Sequence, residues 1–354
     1  MSLTDSPLVS VVIPVYNGER FIAEAIRSVL AQTYTNWDLT VGNNRSTDRT
    51  VAIVEEFAAR DPRIRLRTYP TFVSVIESHS NAFTLISDDA KYVKVLDADD
   101  WLFPHCLEEM VTVAEAHPTI GMVASYVLGG TQVGASGLPY PSTFMSGHEV
   151  CRLRLLRGIK VFGGPSASLL RASIVREKRP FYNPLNYHGD IEAYLDLLRD
   201  WDFGYVHQVL SYMRKGEASP TTSYLDRVNS VYGVDVDELT KFGPVYLTEE
   251  ECAARLKEVT RKHYRFLGRS VLELRGREFW DYHLKHFRRM GYPLSYARIA
   301  LYAVLQILDL VGNPKHTVEA AGRRIADRLR RGSRAVPTAG PQPSTKQASA
   351  RAVH

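Results

Sequence analysis

The chain has 354 residues, three cysteines and a formal net charge of +5 at pH 7. That length buries a substantial core, in one large domain or two ordinary ones. Cys106, Cys151 and Cys252 are too widely spaced for a disulfide or metal pattern, which fits a reducing compartment.

The charge is uneven. From Asn313 onward nine Lys or Arg face two acids, Glu319 and Asp327, so the remainder carries about −2. The basic balance belongs to the tail and gives no argument for a nucleic-acid partner. Met1 to Pro7 is short and polar and lacks the order of a signal peptide, so the expected location is the cytoplasm.

In chain order, Val9 to Val15 is an apolar run that reads as a buried strand. Tyr16-Asn17-Gly18 supplies turn chemistry. Phe21, Ile22, Ala25, Ile26, Val29 and Leu30 then recur at helical spacing. Leu39 to Val41 reads as a second strand. Gly42-Asn43-Asn44-Arg45-Ser46-Thr47-Asp48 follows, with Ser46 or Thr47 placed to cap a helix carrying Val51, Ile53, Val54 and Phe57. Ile64 to Tyr69 reads as a third strand and Val75 to Leu85 as a helix. Tyr92 to Leu96 then runs into Asp97-Ala98-Asp99-Asp100-Trp101. Four strand–helix units predict a parallel sheet covered on both faces. Its strands end on one edge, where such sheets bind ligands. Asp97, Asp99 and Asp100 packed there repel each other unless a cation intervenes. Hard divalent cations take oxygen ligands and share them with phosphates. The plainer reading is that these acids cap the helix after Pro104.

Val9-Ser10-Val11-Val12-Ile13-Pro14-Val15-Tyr16-Asn17-Gly18 resembles the opening strand of family 2 glycosyltransferases. Gly42 to Thr50 is similar to that family's Asp-Asp-Gly-Ser-Thr-Asp-Gly-Thr segment, and Leu96 to Trp101 to its metal motif. The resemblance covers roughly Leu8 to Ser219. It implies a GT-A fold, an α/β architecture with a mostly parallel sheet flanked by helices. It also implies inverting transfer of a sugar from a nucleotide diphosphate, of the UDP-sugar type, with Mn²⁺ or Mg²⁺. Donor contacts carried over are Pro14, Tyr16, Asn17, Glu19, Asn43, Asn44, Asn81, Asp97, Ala98 and Arg214. Asp99 is the expected direct metal ligand. Asp97 joins it, or contacts ribose or a metal-bound water. Asp100 orients its neighbours or caps the next helix. The family's base-contacting Asp is Asn43 here and its Gly is Arg45. An amide still accepts from uracil N3–H, and Asn43-Asn44 also suits a plain turn.

Beyond the acids, Ile120 to Val127 reads as a strand and Gly129 to Gly147 as a loop or hairpin arm. His148 to Arg157 reads as a basic helix. Gly163-Gly164-Pro165-Ser166-Ala167-Ser168 is a small-residue stretch on the family's acceptor side, or an ordinary turn. Tyr187 to Leu195 resembles the segment that carries the family's catalytic base, and Asp190 matches that position. An attacking hydroxyl must lose its proton, so a carboxylate within reach suits the chemistry. A first-turn acid favoured by the helix dipole is the structural alternative. His188 is the runner-up base and Glu192 a weaker one. Trp201 to Val209 reads as a strand, followed by Arg214, which suits a diphosphate or a surface ion pair. The Gln-x-x-Arg-Trp motif of processive members is missing from the sequence, which favours one sugar per event.

The expected domains are 1–222 catalytic, 223–331 helical and 332–354 a disordered tail rich in Pro, Ala, Ser and Gly. Helices are expected near Glu249–Phe266, Gly276–Arg289 and Leu294–Val311. The last is apolar but broken by Arg298, Gln306 and Asp309 and short for a membrane crossing. Beside Lys285, Arg288 and Arg289, and Arg323 to Arg331, it suits peripheral contact with an anionic inner-leaflet surface, or a helix covering the sheet domain. The expected acceptor is a glycan or lipid-linked glycan, in surface polysaccharide or glycolipid assembly. Two other functions share these features: an inactive sugar-nucleotide-binding module, and a nucleotidyltransferase.

Overall fold

The computed structural model describes residues 6–214, 224–225, 227–289 and 291–312. β1 (Val9–Val15) and β2 (Trp37–Asn43) are buried along their full length. β1 pairs in parallel with β2 and with β4 (Tyr92–Val95), and β2 with β3 (Ile64–Thr68). Between them lie α1 (Ile22–Leu30), α2 (Thr50–Ala58) and α3 (Val75–Ala82). Continuous β-branched runs suit strands covered on both faces. α1 covers its side with Ile22, Ala25, Ile26 and Val29. The main core joins these to Leu39, Val41, Leu107, Met110 and Leu169.

The sheet continues past the predicted four strands, in the order β3-β2-β1-β4-β9-β6-β10-β5. β5 is Trp101–Leu102, β6 Ile120–Gly129, β9 Ser168–Arg171 and β10 Asp202–Met213. β6 and β10 run parallel, while β9 lies antiparallel between β4 and β6. The reading in sequence had no β9, because four residues are too few to show a period. β7 (Gln132–Gly134) pairs with β6 and β8 (Phe144–Met145) with β10, so the stretch from Gly129 to Gly147 is a strand-bearing arm.

α4 (Cys106–Ala116), α5 (Gly147–Arg157), α6 (Ala172–Glu177) and α7 (Gly189–Leu197) complete the sheet layer. Ser146 caps α5 by accepting the Glu149 amide at 3.2 Å. Gly147 is needed beside it: a Cβ there would lie 2.0 Å from the Trp201 carbonyl oxygen. Then come α8 (Val234–Tyr246), α9 (Glu249–Leu272), α10 (Arg277–Arg289) and α11 (Tyr296–Gly312). The last three match the predicted helices to within a few residues. α8 has Pro244 in its interior, and Gly243-Pro244 reads as a break in sequence.

Two compact units divide the described residues, one drawn from 1–263 and 275–294, the other from 264–274 and 295–354. In the first, α8 and α9 are tied to α5 by Arg154–Glu238 at 2.6 Å, both nearly buried, and by Arg152 with Glu251. In the second, α11 packs on the end of α9 through Ile299 and Ala303. The approach is close: a Cβ on Gly268 would lie 2.6 Å from the Tyr302 carbonyl carbon. The expected 222/223 boundary, the basic residues Arg323 to Arg331 and the tail 332–354 lie outside the described residues. Among the described residues no helix is long and apolar enough to cross a membrane.

Candidate active site

The parallel register brings the strand ends together. Val15 stands opposite Asn43, and Asn43 opposite Thr68. The loops beyond are hydrogen-bonded to each other. The Asn17 amide donates to the Ser46 hydroxyl at 2.9 Å, and the Thr47 amide donates to Asn17 Oδ1 at 2.8 Å. The Gly18 amide donates to the Thr50 hydroxyl at 2.8 Å. Ser46 and Thr47 therefore serve the β1–α1 loop and do not cap α2. α2 starts without a side-chain cap at Arg49, and just ahead of it Asp48 accepts the Thr50 amide at 3.0 Å. Asn17 and Arg45 adopt left-handed φ of 51° and 64°, a conformation that Asn tolerates better than Arg.

Pro14 is buried in β1 opposite Gly42. Tyr16 is about half exposed, its ring edge-on to exposed Phe72 at 4.9 Å. Glu19 turns toward α2, where its carboxylate accepts the Arg49 amide at 3.0 Å. Asn43 donates to the Thr68 hydroxyl at 3.1 Å and accepts the Ser46 amide at 3.0 Å. Asn44 exchanges two bonds with the Val73 backbone, at 2.8 and 3.0 Å. Both asparagines are buried, so the polar atoms offered to a base are engaged inside the protein. Asn81 is half-buried on α3.

The acidic loop leaves β4 toward a 3₁₀ turn at Pro165–Ala167. Lys94 is fully buried, and its ammonium donates to the carbonyls of Ser166 at 2.7 Å and Ser168 at 3.0 Å. The Ser166 hydroxyl accepts the Asp97 amide at 3.0 Å and donates to Asp100 Oδ2 at 2.7 Å. The small-residue stretch 163–168 thus braces the acids. Asp100 Oδ1 accepts the Arg214 amide at 3.0 Å, and α4 starts without a side-chain cap, so Asp100 caps no helix. Burial, then the charge of Asp97, pushes Asp100 up to about 8. The same two causes raise the half-buried Asp99. Ala98 packs against the core between them. The Arg214 guanidinium donates to the Asp99 carbonyl at 3.0 Å and to Glu24 at 2.5 Å, and lies over the Phe21 ring. In this structure its ion pair is with Glu24.

One residue at this centre was not among the sequence candidates. His79 Nε2 meets Asp97 Oδ1 at 2.8 Å, and its Nδ1 meets the Val75 carbonyl at 2.8 Å. A carbonyl only accepts and an ionised carboxylate only accepts, so this pair of partners favours a proton on each ring nitrogen. Burial opposes that charge, but Asp97, the Val75 carbonyl and Asp190 outweigh it and raise the imidazole. The one signal in sequence was the polar run Ser78-His79-Ser80-Asn81 just before the acidic strand.

Asp190 stands in the first turn of α7. Burial raises its carboxyl. The Ile191 amide and Arg154 pull it down, and the charge of Asp97 pushes it up again. His188 contacts the Ser230 hydroxyl at 3.2 Å and is pushed down to about 4, by burial first and then by His286 and Arg154. Glu192 is engaged by Lys241, Asn183 and Asn186.

Residues 10–177 match the model described as glycosyl transferase family 2. An uncharacterized glycosyltransferase of Haemophilus influenzae is 29% identical over 51% of this chain and 57% of its own length. The UDP-Glc:alpha-D-GlcNAc-diphosphoundecaprenol beta-1,3-glucosyltransferase WfgD of Escherichia coli is 27% identical over 55% of this chain and 72% of its own. The chain spans from 16% to 57% of the length of the first curated relatives it matches. Staphylococcus aureus TarS 1–349, solved with UDP-GlcNAc, superposes with a TM-score of 0.54 at 17% identity, over 73% of each chain. The mannosyltransferase PcManGT of Pyrobaculum calidifontis, solved with GDP-Man and Mn²⁺, gives 0.51 at 15% identity, over 89% of this chain and 83% of that one. These likenesses show the GT-A fold, and residues 10–177, a little under half of the chain, are similar to glycosyl transferase family 2.

Proposed function

We propose that the chain moves one sugar, with inversion, from a UDP-sugar to a hydroxyl of a glycan or lipid-linked acceptor in surface polysaccharide or glycolipid assembly, assisted by Mn²⁺ or Mg²⁺. The observation that carries this reading is the acidic loop held at the end of β4 by Ser166 and Lys94, within the residues that match glycosyl transferase family 2. The acceptor hydroxyl attacks the anomeric carbon from the face opposite the diphosphate. The new C–O bond forms as the bond to the diphosphate breaks, and the hydroxyl proton passes to Asp190. Burial favours that transfer, because a carboxyl lifted toward neutrality is a stronger base. His188 and Glu192 are engaged with other partners and do not compete.

The donor set suits a hard cation. Asp99 and Asp97 offer carboxylate oxygens, and Mg²⁺-type sites take one or two carboxylates and complete their shell with phosphates and water. Among the described residues no three His, Cys, Asp or Glu side chains form a cage of their own, so the diphosphate would have to complete the shell. His79 occupies Asp97 Oδ1, which leaves Asp99 as the direct ligand and Asp97 Oδ2 as support. When bound, the ion offsets the charge gathering on the leaving diphosphate. The UDP and lipid-linked assignments draw support from the TarS complex and from the name of WfgD.

The test is release of nucleoside diphosphate from a panel of sugar nucleotides by the purified chain. Chelator is expected to abolish release, and Asp99→Ala and Asp190→Ala each to lower it at least about a hundredfold. Full turnover in Asp190→Ala would overturn the base assignment, and release untouched by chelator would overturn the metal. Nucleotide binding without release would indicate an inactive binding module. Release of pyrophosphate would indicate a nucleotidyltransferase.

A further inference from the structure

In the second unit, the α11 residues from Ile299 to Val311 are aliphatic or aromatic apart from Gln306 and Asp309. A helix apolar on nearly all sides is ordinarily buried. Here only Ile299 and Ala303 are buried. Leu301, Val304, Leu305, Leu308 and Val311 are between 46% and 75% exposed. Their spacing of three and four residues places them on one face, turned away from the Ile299–Ala303 stripe. A contiguous apolar face of this kind on a soluble monomer marks a contact surface.

We propose that this face docks on an anionic membrane surface, with α11 lying in the plane of the interface. Charge selects the occupant. The 42 residues after Gly312 carry nine Lys or Arg against two acids, and basic segments beside an apolar helix face are attracted to acidic lipid headgroups. A second copy of the chain would bring two such basic segments together, and like charge opposes that. The chain's own residues 313–354 hold only five large aliphatics, Val318, Ile325, Leu329, Val336 and Val353, few to cover five. Among the described residues α11 is not long and apolar enough to cross a bilayer. This inference does not depend on which sugar is transferred, or on whether transfer occurs.

The experiment is co-sedimentation of the full chain with vesicles of neutral phosphatidylcholine, with and without about 30% phosphatidylglycerol, in roughly 0.1 M and 0.5 M salt. Light scattering reports mass in the absence of lipid. The comparison is a Leu305→Glu/Leu308→Glu variant. Both side chains are solvent-facing, so an unchanged melting temperature verifies its fold. The expected result is binding to anionic vesicles at least about tenfold stronger than to neutral ones, weakened by salt, and reduced at least about tenfold in the variant. The chain is expected to be monomeric. No binding to either vesicle overturns the proposal, and so does binding that the variant retains in full. A lipid-free dimer that the same substitutions dissociate also overturns it and assigns the face to a second copy.

Discussion

Ser166→Ala is the sharpest probe of the acidic loop. The hydroxyl is fully buried and holds two groups at once, the Asp97 amide at 3.0 Å and Asp100 Oδ2 at 2.7 Å. Removing it strands a part-buried N–H and a buried carboxyl oxygen, each worth up to about 1–3 kcal/mol when left unpaired. Asp100 is pushed up to about 8, so it can remain protonated and bear the smaller share. The expected loss is therefore about 2–3 kcal/mol out of a total stability of roughly 5–15. Urea unfolding of the full chain measures it, with the slope unchanged to show that the unfolded state is the same. The same variant is expected to lose at least about tenfold in kcat/KM, because Asp97 loses the brace that fixes its backbone. A loss below about 0.5 kcal/mol together with unaltered kcat/KM would refute the reasoning.

Burial holds His188 neutral in the folded chain down to about pH 4, against an ordinary value near 6.5. Stability from this group is complete above about pH 6.5 and falls as pH drops toward about 4, because the unfolded chain then binds the extra proton. His188→Gln should flatten part of that acid loss in urea midpoints compared at pH 7 and pH 5. Only part is expected, since His263 and His283 are pushed down to about 3 and about 4 and act in the same direction. A profile identical to wild type would sink this assignment. Gly268→Ala forces a methyl group against the Tyr302 backbone. It should destabilise the α9–α11 packing by about 1–3 kcal/mol, read as a lower melting temperature, and a neutral result contradicts the close approach. Asn44→Ala removes both bonds to Val73. It is expected to raise the donor KM several-fold with little change in kcat, whereas a fall in kcat alone would place Asn44 in the chemistry.

Periodicity carried the first half of the fold. The runs Val9–Val15 and Tyr92–Leu96, with helices between successive strands, predict a parallel sheet, and β1 to β4 do pair in parallel; their order, β3-β2-β1-β4, came only with the structure. Long-range packing was not legible. β9 is four residues long and is defined by its antiparallel neighbours on both sides. Nothing local distinguishes it from a turn. In the site, the positions of Asp97, Asp99 and Asp190 follow from strand ends and a helix start. Their partners do not. Ser166 is 69 residues from Asp97, and His79 is 18 from it across a helix and a strand. The roles of Asn43 and Asn44 depend on Thr68, Ser46 and Val73, so residue type alone left both the turn and the base contact open.

A lysine in the middle of Tyr92-Val93-Lys94-Val95-Leu96 breaks an otherwise apolar strand, and burial lowers its pKa while Cys106, Asp97 and Asp100 raise it. The net direction is downward, and what holds the ammonium in place is geometry: it donates to the Ser166 and Ser168 carbonyls, tying β4 to the turn that braces the acidic loop. A strand residue that looks misplaced by hydropathy thus joins β4 to the Pro165–Ala167 turn, and through Ser166 that same turn holds the Asp97 amide and the Asp100 carboxyl, so the shape of the acidic loop is set by the sheet and not by the loop alone.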